Sequence, residues 1–155
     1  PVLEMKVEAY IDGDYITDAM HKIEIYQRIA AIRTNEDIRA LLDELIDRFG
    51  DPLPSVLNLL SVARIKNYAR NLGIKSIVEK PMFLEILFSE QPNLEIENVL
   101  KLKTLLGEQI KFIPGPPGII RFQLTPLNRK KILNYCTRIL MTLAGEKINN
   151  QTNAF

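Results

Sequence analysis

The spacing of apolar residues changes character at Gly73, and that change limits the folds open to this chain more than any other feature. Before Gly73, apolar residues recur at three- and four-residue intervals, in runs broken near Gly50, Pro52 and Pro54. After it, short blocks of four to seven residues come in two adjacent pairs, each pair followed by a helical stretch. The first pattern is that of amphipathic helices and the second that of strands. Strands adjacent in sequence favour antiparallel pairing, so a doubly wound parallel sheet is disfavoured. With 155 residues, 46% of them hydrophobic, the chain can bury a core, and one domain is the default count.

The elements follow from local signals. Val2 to Ile11 reads as a strand or extended lead-in, ending at the turn-like Asp12, Gly13 and Asp14. Asp18 is a good N-cap for a helix through Ile32, with Ile23, Tyr26 and Ala30 on one side. Thr34 with Asp37 forms a near capping box for a second helix. Its apolar set is Ile38, Leu41, Leu42, Leu45, Ile46 and Phe49, and Gly50 stands at the left-handed C-cap position. A third helix is predicted from about Ser55 to Leu72. Its Val56, Leu59, Leu60, Val62, Ala63 and Ala69 cover more than one stripe, which suits a central helix.

Ile74 to Val78 and Met82 to Phe88 read as strands, Leu94 to Leu106 as a helix, and Ile110 to Ile113 with Ile119 to Leu124 as a second strand pair around Pro114–Gly118. Thr125 and Pro126 then start a helix expected to reach about Gly145. The expected class is α+β: three N-terminal helices, then a β-β-α-β-β-α arrangement with antiparallel strands and helices on one side. In sequence terms this is one domain with a lead-in (1–16), a helical part (17–73), an α+β part (74–148) and a frayed tail (149–155). No repeat of solenoid length is present.

The formal net charge of +1 conceals a polarity along the chain. Residues 1–50 carry six Lys/Arg against eleven Asp/Glu, a net of −5; residues 51–100 carry five against six, a net of −1; residues 101–155 carry nine against two, a net of +7. Either two solvated surfaces differ, or different faces meet differently charged partners. A single cysteine, Cys136, cannot form an internal disulfide, and with one histidine, His21, no His/Cys zinc site can be assembled. No apolar run approaches the ~20 residues that span a bilayer. The opening PVLEMKVEAY lacks the basic flank and apolar block of a signal peptide, so a cytoplasmic location is expected.

Few motifs suggest chemistry. The segment PGPPG lacks the lysine and helix entrance of a phosphate-binding loop, and its prolines withhold N–H donors, so it reads as a hairpin connection. His21 has no nucleophile at a suggestive spacing and reads as a surface or capping residue; Cys136 sits among Ile132, Leu133, Ile139 and Leu140 and reads as core. Arg129, Lys130 and Lys131, with Arg138 further along, could make weak contact with nucleic-acid phosphates, but consecutive helix residues point in different directions and no aromatic side chains interleave them. A solvated helix face is the plainer reading.

The second helix carries the sharpest pattern. At 100° per residue, Ile38, Leu41, Leu42, Leu45 and Phe49 gather on one side and Glu36, Asp37, Asp43, Glu44 and Asp47 on the other. Five carboxylates on one face gain little by pairing within the helix. They form either a solubilising exterior or an acidic stripe that docks on a basic surface. Glu44 and Asp47, three residues apart near the centre of that side, are the favoured docking pair, with Asp43, Asp37 and Arg48 beside them.

Four segments, AYIDGDYITD (Ala9–Asp18), KIEIYQRIA (Lys22–Ala30), DELIDRFG (Asp43–Gly50) and VLNLLSVARIKNYARNLGI (Val56–Ile74), resemble the C-terminal domain (TRCF domain) of bacterial transcription-repair coupling factors, the Mfd family. The resemblance is strong over residues 7–74 and rests mainly on element order from 75 to 155. The family commonly has proline after the AYI segment where this chain has Asp12.

The resemblance implies a piece of a multidomain ATP-dependent DNA translocase that displaces RNA polymerase stalled at a lesion and recruits nucleotide-excision repair through UvrA. ATP and Mg would belong to an upstream motor, and this domain would hold no cofactor. It would act as an autoinhibitory module that docks on an N-terminal UvrB-like module and masks the UvrA-binding surface, with Glu44 and Asp47 in the docking segment. Double-stranded DNA, RNA polymerase and UvrA would be partners of the full protein, and a membrane would not. An accessory nucleic-acid-binding domain using the basic C-terminal third is the alternative. A small hydrolase or transferase lacks any set of nucleophile, base and oxyanion donor, so no enzymatic activity is expected of this segment alone.

Overall fold

The structure, a computed structural model, describes residues 1–147. The tail predicted at 149–155 lies outside the described residues. Among those described, six α-helices and a five-stranded sheet are present, in two compact units. One unit is Val7–Asn67; the other combines Pro1–Lys6 with residues 68–147.

The first unit is built from helices α1 (Ala19–Ala30) and α2 (Asn35–Phe49) and from the part of α3 (Pro54–Leu72) that ends at Asn67. Its lead-in is extended and tied to α3: the Tyr10 N–H donates to the Ser55 carbonyl (3.2 Å) and the Asn58 amide to the Glu8 carbonyl (2.9 Å). Asp12 builds the turn. Its carboxylate accepts from the Asp14 N–H (2.9 Å) and its carbonyl from the N–H groups of Tyr15 and Ile16. Aspartate favours such a turn because its side chain mimics a backbone acceptor. Asp18 then caps α1 by accepting from the His21 N–H at 3.0 Å.

The core of this unit joins Ile11, Ile16, Ile25, Ile29, Ile32, Ile38, Leu41, Leu45, Val56 and Leu60. Ile23, Tyr26 and Ala30 do share a face of α1, but it is the exposed one; Ile25 and Ile29, one turn apart, reach the core instead. Tyr26 keeps a structural task on that outer face, its hydroxyl accepting from the Ile11 N–H at 2.8 Å. Ile46 likewise lies outside the apolar face of α2. Gly50 ends α2 with φ +84°, and the Tyr15 hydroxyl donates to its carbonyl at 2.7 Å.

The second unit holds the sheet, in the order β1-β2-β3-β5-β4. The strands are β1 (Val2–Glu4), β2 (Ile74–Glu79), β3 (Phe83–Phe88), β4 (Ile110–Ile113) and β5 (Ile119–Gln123). The expected all-antiparallel sheet is corrected on one edge: β1 runs parallel to β2, so the sheet is mixed. A parallel pair needs a long crossover, and the whole helical segment between β1 and β2 supplies it. The other three pairings are antiparallel, and Pro114–Gly118 makes the β4–β5 hairpin as its composition suggested.

Alternation sets the two faces. Leu84, Ile86 and Phe88 of β3 and Ile120 and Phe122 of β5 are buried. Leu102 of α4 (Ile96–Leu106) and Ile132, Cys136, Ile139 and Leu140 of α6 (Ile132–Leu143) are buried as well. Phe122 stacks on Tyr135 of α6 with centroids 5.1 Å apart. On the opposite face, half-buried Glu85 pairs with Lys80 (3.1 Å) and Arg121 (3.2 Å), and Arg121 lies 4.6 Å from the Phe83 ring centroid. Gly73 leads into β2 with φ +73°, where a Cβ would stand 3.1 Å from the Pro92 Cα.

The last predicted helix is two. Helix α5 (Pro126–Arg129) starts with a reciprocal cap between Thr125 and Asn128, and the chain leaves helical geometry at Lys131 (φ −118°, ψ 31°) before α6 begins. Asn128 is buried and also donates to the Gln123 carbonyl, which pins the short helix to the end of β5.

Candidate docking surface

Helix α2 carries the predicted docking residues, and the structure sorts them into three situations. Asp37 closes the capping box. The Thr34 hydroxyl accepts from the Asp37 N–H (3.1 Å), while the Asp37 carboxylate accepts from the backbone N–H groups of Arg33 (3.0 Å) and Thr34 (3.1 Å). These bonds, the one from Arg33 foremost, hold its pKa below the ordinary carboxylate value. Asp37 is therefore committed to starting the helix.

Glu44 is held by two arginines. Its Oε2 lies 2.5 Å from Arg28 Nη1 on α1 and 2.8 Å from Arg48 Nη1 one turn along α2. Arg48 also reaches Glu24 of α1 at 3.2 Å and covers the Phe49 ring, 4.9 Å from its centroid. The result is a chain of alternating charge, Glu24–Arg48–Glu44–Arg28, that stitches α1 to α2. The hydrogen bond from Arg28, then that from Arg48, lowers the Glu44 pKa. The expectation that α2 gains little from pairing within itself is thus corrected for Glu44, because a cation stands at the favourable i+4 position. Sequence reasoning missed Glu24 and Arg28. Their signal was opposite charge at i and i+4 on α1, one helix before the acidic one.

Glu36, Asp43 and Asp47 are exposed and make no ion pair among the described residues. At 100° per residue they fall within about 40° of one another, a ridge along the outward side of α2. The structure therefore separates a pinned carboxylate, Glu44, from a free row that includes Asp47.

The basic candidates are not alike either. Arg129 donates to Glu79, whose side chain is only 3% exposed, and to the Pro81 carbonyl at 2.5 Å. It is locked into the β2–β3 turn rather than offered to a phosphate. Lys130 and Lys131 are exposed and sit in the break between α5 and α6, so the three do not share a continuous helix. Nothing among the described residues groups three His, Cys, Asp or Glu side chains as a metal site. His21 lies on the surface with its ring 6.1 Å from that of Phe49. Cys136 is fully buried, and burial pushes its thiol up to about 12, far from nucleophilic use at neutral pH. No described helix is long and apolar enough to cross a membrane.

Residues 5–99 match the TRCF domain family. The chain is 33% identical over 111 residues to the transcription-repair-coupling factor of Staphylococcus epidermidis and 34% over 110 residues to that of Bacillus subtilis; each alignment covers 70% of this chain. The matched stretch is 10% and 9% of those relatives, so the chain corresponds to about a tenth of their length. In three dimensions it is similar to a crystal structure of the C-terminal domain of a transcription-repair coupling factor, with TM-score 0.83 and 24% identity over 92% of this chain and 91% of that one. On the family match and the curated relatives together, the chain belongs to the TRCF domain family found in transcription-repair coupling factors.

Proposed function

We propose that this domain is a regulatory interaction module of a transcription-repair coupling factor, docking through the outward side of α2 on a basic surface of the protein's own N-terminal UvrB-like module. In that role it masks the surface that recruits UvrA, and release of the contact accompanies engagement of RNA polymerase and DNA by the ATP-driven, Mg-dependent motor. One observation carries the reading: the free carboxylate row of Glu36, Asp43 and Asp47 runs beside a Glu44 that two arginines hold in one geometry. A rigid acidic ridge suits a contact that is specific yet breakable, because exposed charge complementarity sets register more than affinity. Interdomain contacts within a chain are commonly polar and modest in area. Asp47 makes the direct contact in this scheme, and Glu44 with Arg48 fixes the ridge against α1. The domain needs no cofactor and performs no chemistry in this role. A nucleic-acid-binding role has less support, since Arg129 is engaged internally.

The test is Glu44→Ala with Asp47→Ala in the full-length protein. Docking predicts higher UvrA binding and basal ATPase, and weaker capture of the separate N-terminal module by this domain as salt rises. Unchanged UvrA binding and ATPase in a folded double variant would overturn the proposal.

A further inference from the structure

A second surface, in the other unit, has the features of a peptide groove. Between α4 and α6 lies a cavity of about 100 Å³ floored by Leu102, Leu106 and Ile139 and walled by Leu105 and Tyr135, with Arg138 at its edge. That is well below the ~300 Å³ at which small-molecule sites begin, and it suits one apolar side chain. Leu105 is 60% exposed, so a large apolar side chain is presented at the mouth rather than folded away.

One charged side chain, Arg138, lines the groove. No carboxylate lines the groove. Lys101 stands one turn before Leu105 on α4, and Lys131 lies in the break just ahead of α6, the helix that carries Arg138. Lys101, Lys131 and Arg138 are all exposed and make no ion pair among the described residues. Nothing in the docking role of α2 uses them.

We infer that the α4–α6 groove binds an acidic amphipathic helix of a partner protein, which inserts one leucine-sized anchor between Leu105 and Tyr135 and sets carboxylates against Arg138, Lys101 and Lys131. Two helices with an apolar seam offer the groove that a third helix packs into, with anchors spaced by three or four residues. The unpaired cations supply the choice of partner, because an incoming basic helix would meet like charge on both edges.

The experiment selects a phage-displayed library of 16-residue helical peptides on the 155-residue chain. Enriched peptides are measured by fluorescence anisotropy against the wild type, Leu105→Glu and Arg138→Glu, with circular dichroism confirming that each variant is folded. Both positions are exposed, so both substitutions should be tolerated. The expected result is enrichment of acidic peptides with apolar anchors. Each substitution should weaken binding on the order of tenfold or more, and exchanging glutamates for lysines in the peptide should restore affinity to Arg138→Glu. No enrichment, basic winners, or binding indifferent to both substitutions would overturn the inference. So would self-association of the wild type, seen by sedimentation and abolished by Leu105→Glu, since a second copy would then be the occupant.

Discussion

Replacing Glu44 by Gln and, separately, Asp47 by Asn divides the two carboxylates that sequence geometry treated as a pair. Glu44 loses two ion pairs in which every side chain is about one-third exposed: 38% for Arg28, 32% for Arg48 and 35% for Glu44 itself. Pairs that open to water contribute ~0.2–1 kcal/mol each, and the i,i+4 pair belongs at the lower end. Glu44→Gln should therefore cost about 1 kcal/mol, because the freed arginines can rehydrate. If the helical unit melts alone, that lowers Tm by ~4–8 °C; if the chain melts as one, by ~2–4 °C. Asp47→Asn breaks no ion pair and should leave stability within about 0.5 kcal/mol. In a docking assay with the N-terminal module the order should reverse, Asp47→Asn losing more than Glu44→Gln. Calorimetry at low salt and at 1 M salt supplies the stability half, and the Glu44→Gln deficit should shrink at high salt, where the screening length falls to ~3 Å. Equal Tm losses for the two variants, or a Glu44→Gln variant as stable as the wild type, would refute the division between a pinned and a free carboxylate.

Thr34→Ala removes the hydroxyl that accepts from the Asp37 N–H and should cost about 1 kcal/mol in urea unfolding, with Thr34→Ser recovering most of it. Acid should act through the carboxylates whose pKa folding lowers. Asp18, Asp37 and Glu44 contribute fully above their ordinary values of 3.8 to 4.5 and lose that contribution as pH falls through their lower folded values, so stability should drop with pH below about 4.5 and Glu44→Gln should flatten the slope. Arg129→Ala strips the ion-pair partner from a nearly buried Glu79 and should cost ~2 kcal/mol, below the ~3–5 kcal/mol of a broken buried pair, because Arg129 is itself 34% exposed and the Lys6 N–H still donates to Glu79 at 2.8 Å; Lys130→Ala should be neutral by the same measurement.

What could be read of the fold followed how local each signal was. The cap of α2 was visible because Thr34 and Asp37 lie three residues apart and satisfy each other. The β4–β5 hairpin was visible because proline and glycine crowd a short span between two apolar runs. The parallel edge was hidden, since β1 is three residues long and its partner lies some seventy residues along the chain. Which side of α1 faces inward is hidden for a related reason. Ile23, Tyr26 and Ala30 have sound helical spacing, yet Ile25 and Ile29 do as well, and only packing decides which stripe is covered. The break at Lys131 depends on Asn128 and Arg129 being tied to β5 and to the β2–β3 turn, contacts that no local rule contains.

The candidate surface divides along the same line. A helical wheel places carboxylates on a side but cannot say which are free, because that depends on what the neighbouring helix brings up. Here α1 brings Arg28 to Glu44 and Glu24 to Arg48, and both bonds belong to the contact between helices. Glu44 is the carboxylate nearer that seam, and Asp47 is turned about 60° further round α2 toward water. A partner that approaches the ridge meets Asp47, Asp43 and Glu36 without breaking any existing ion pair, whereas engaging Glu44 directly means competing with two guanidinium groups. Exposed pairs of this kind are weak enough for that competition to occur. A sufficiently basic partner could thus draw Glu44 away from Arg28 and loosen α1 from α2, which ties docking on α2 to the packing of the helix beside it.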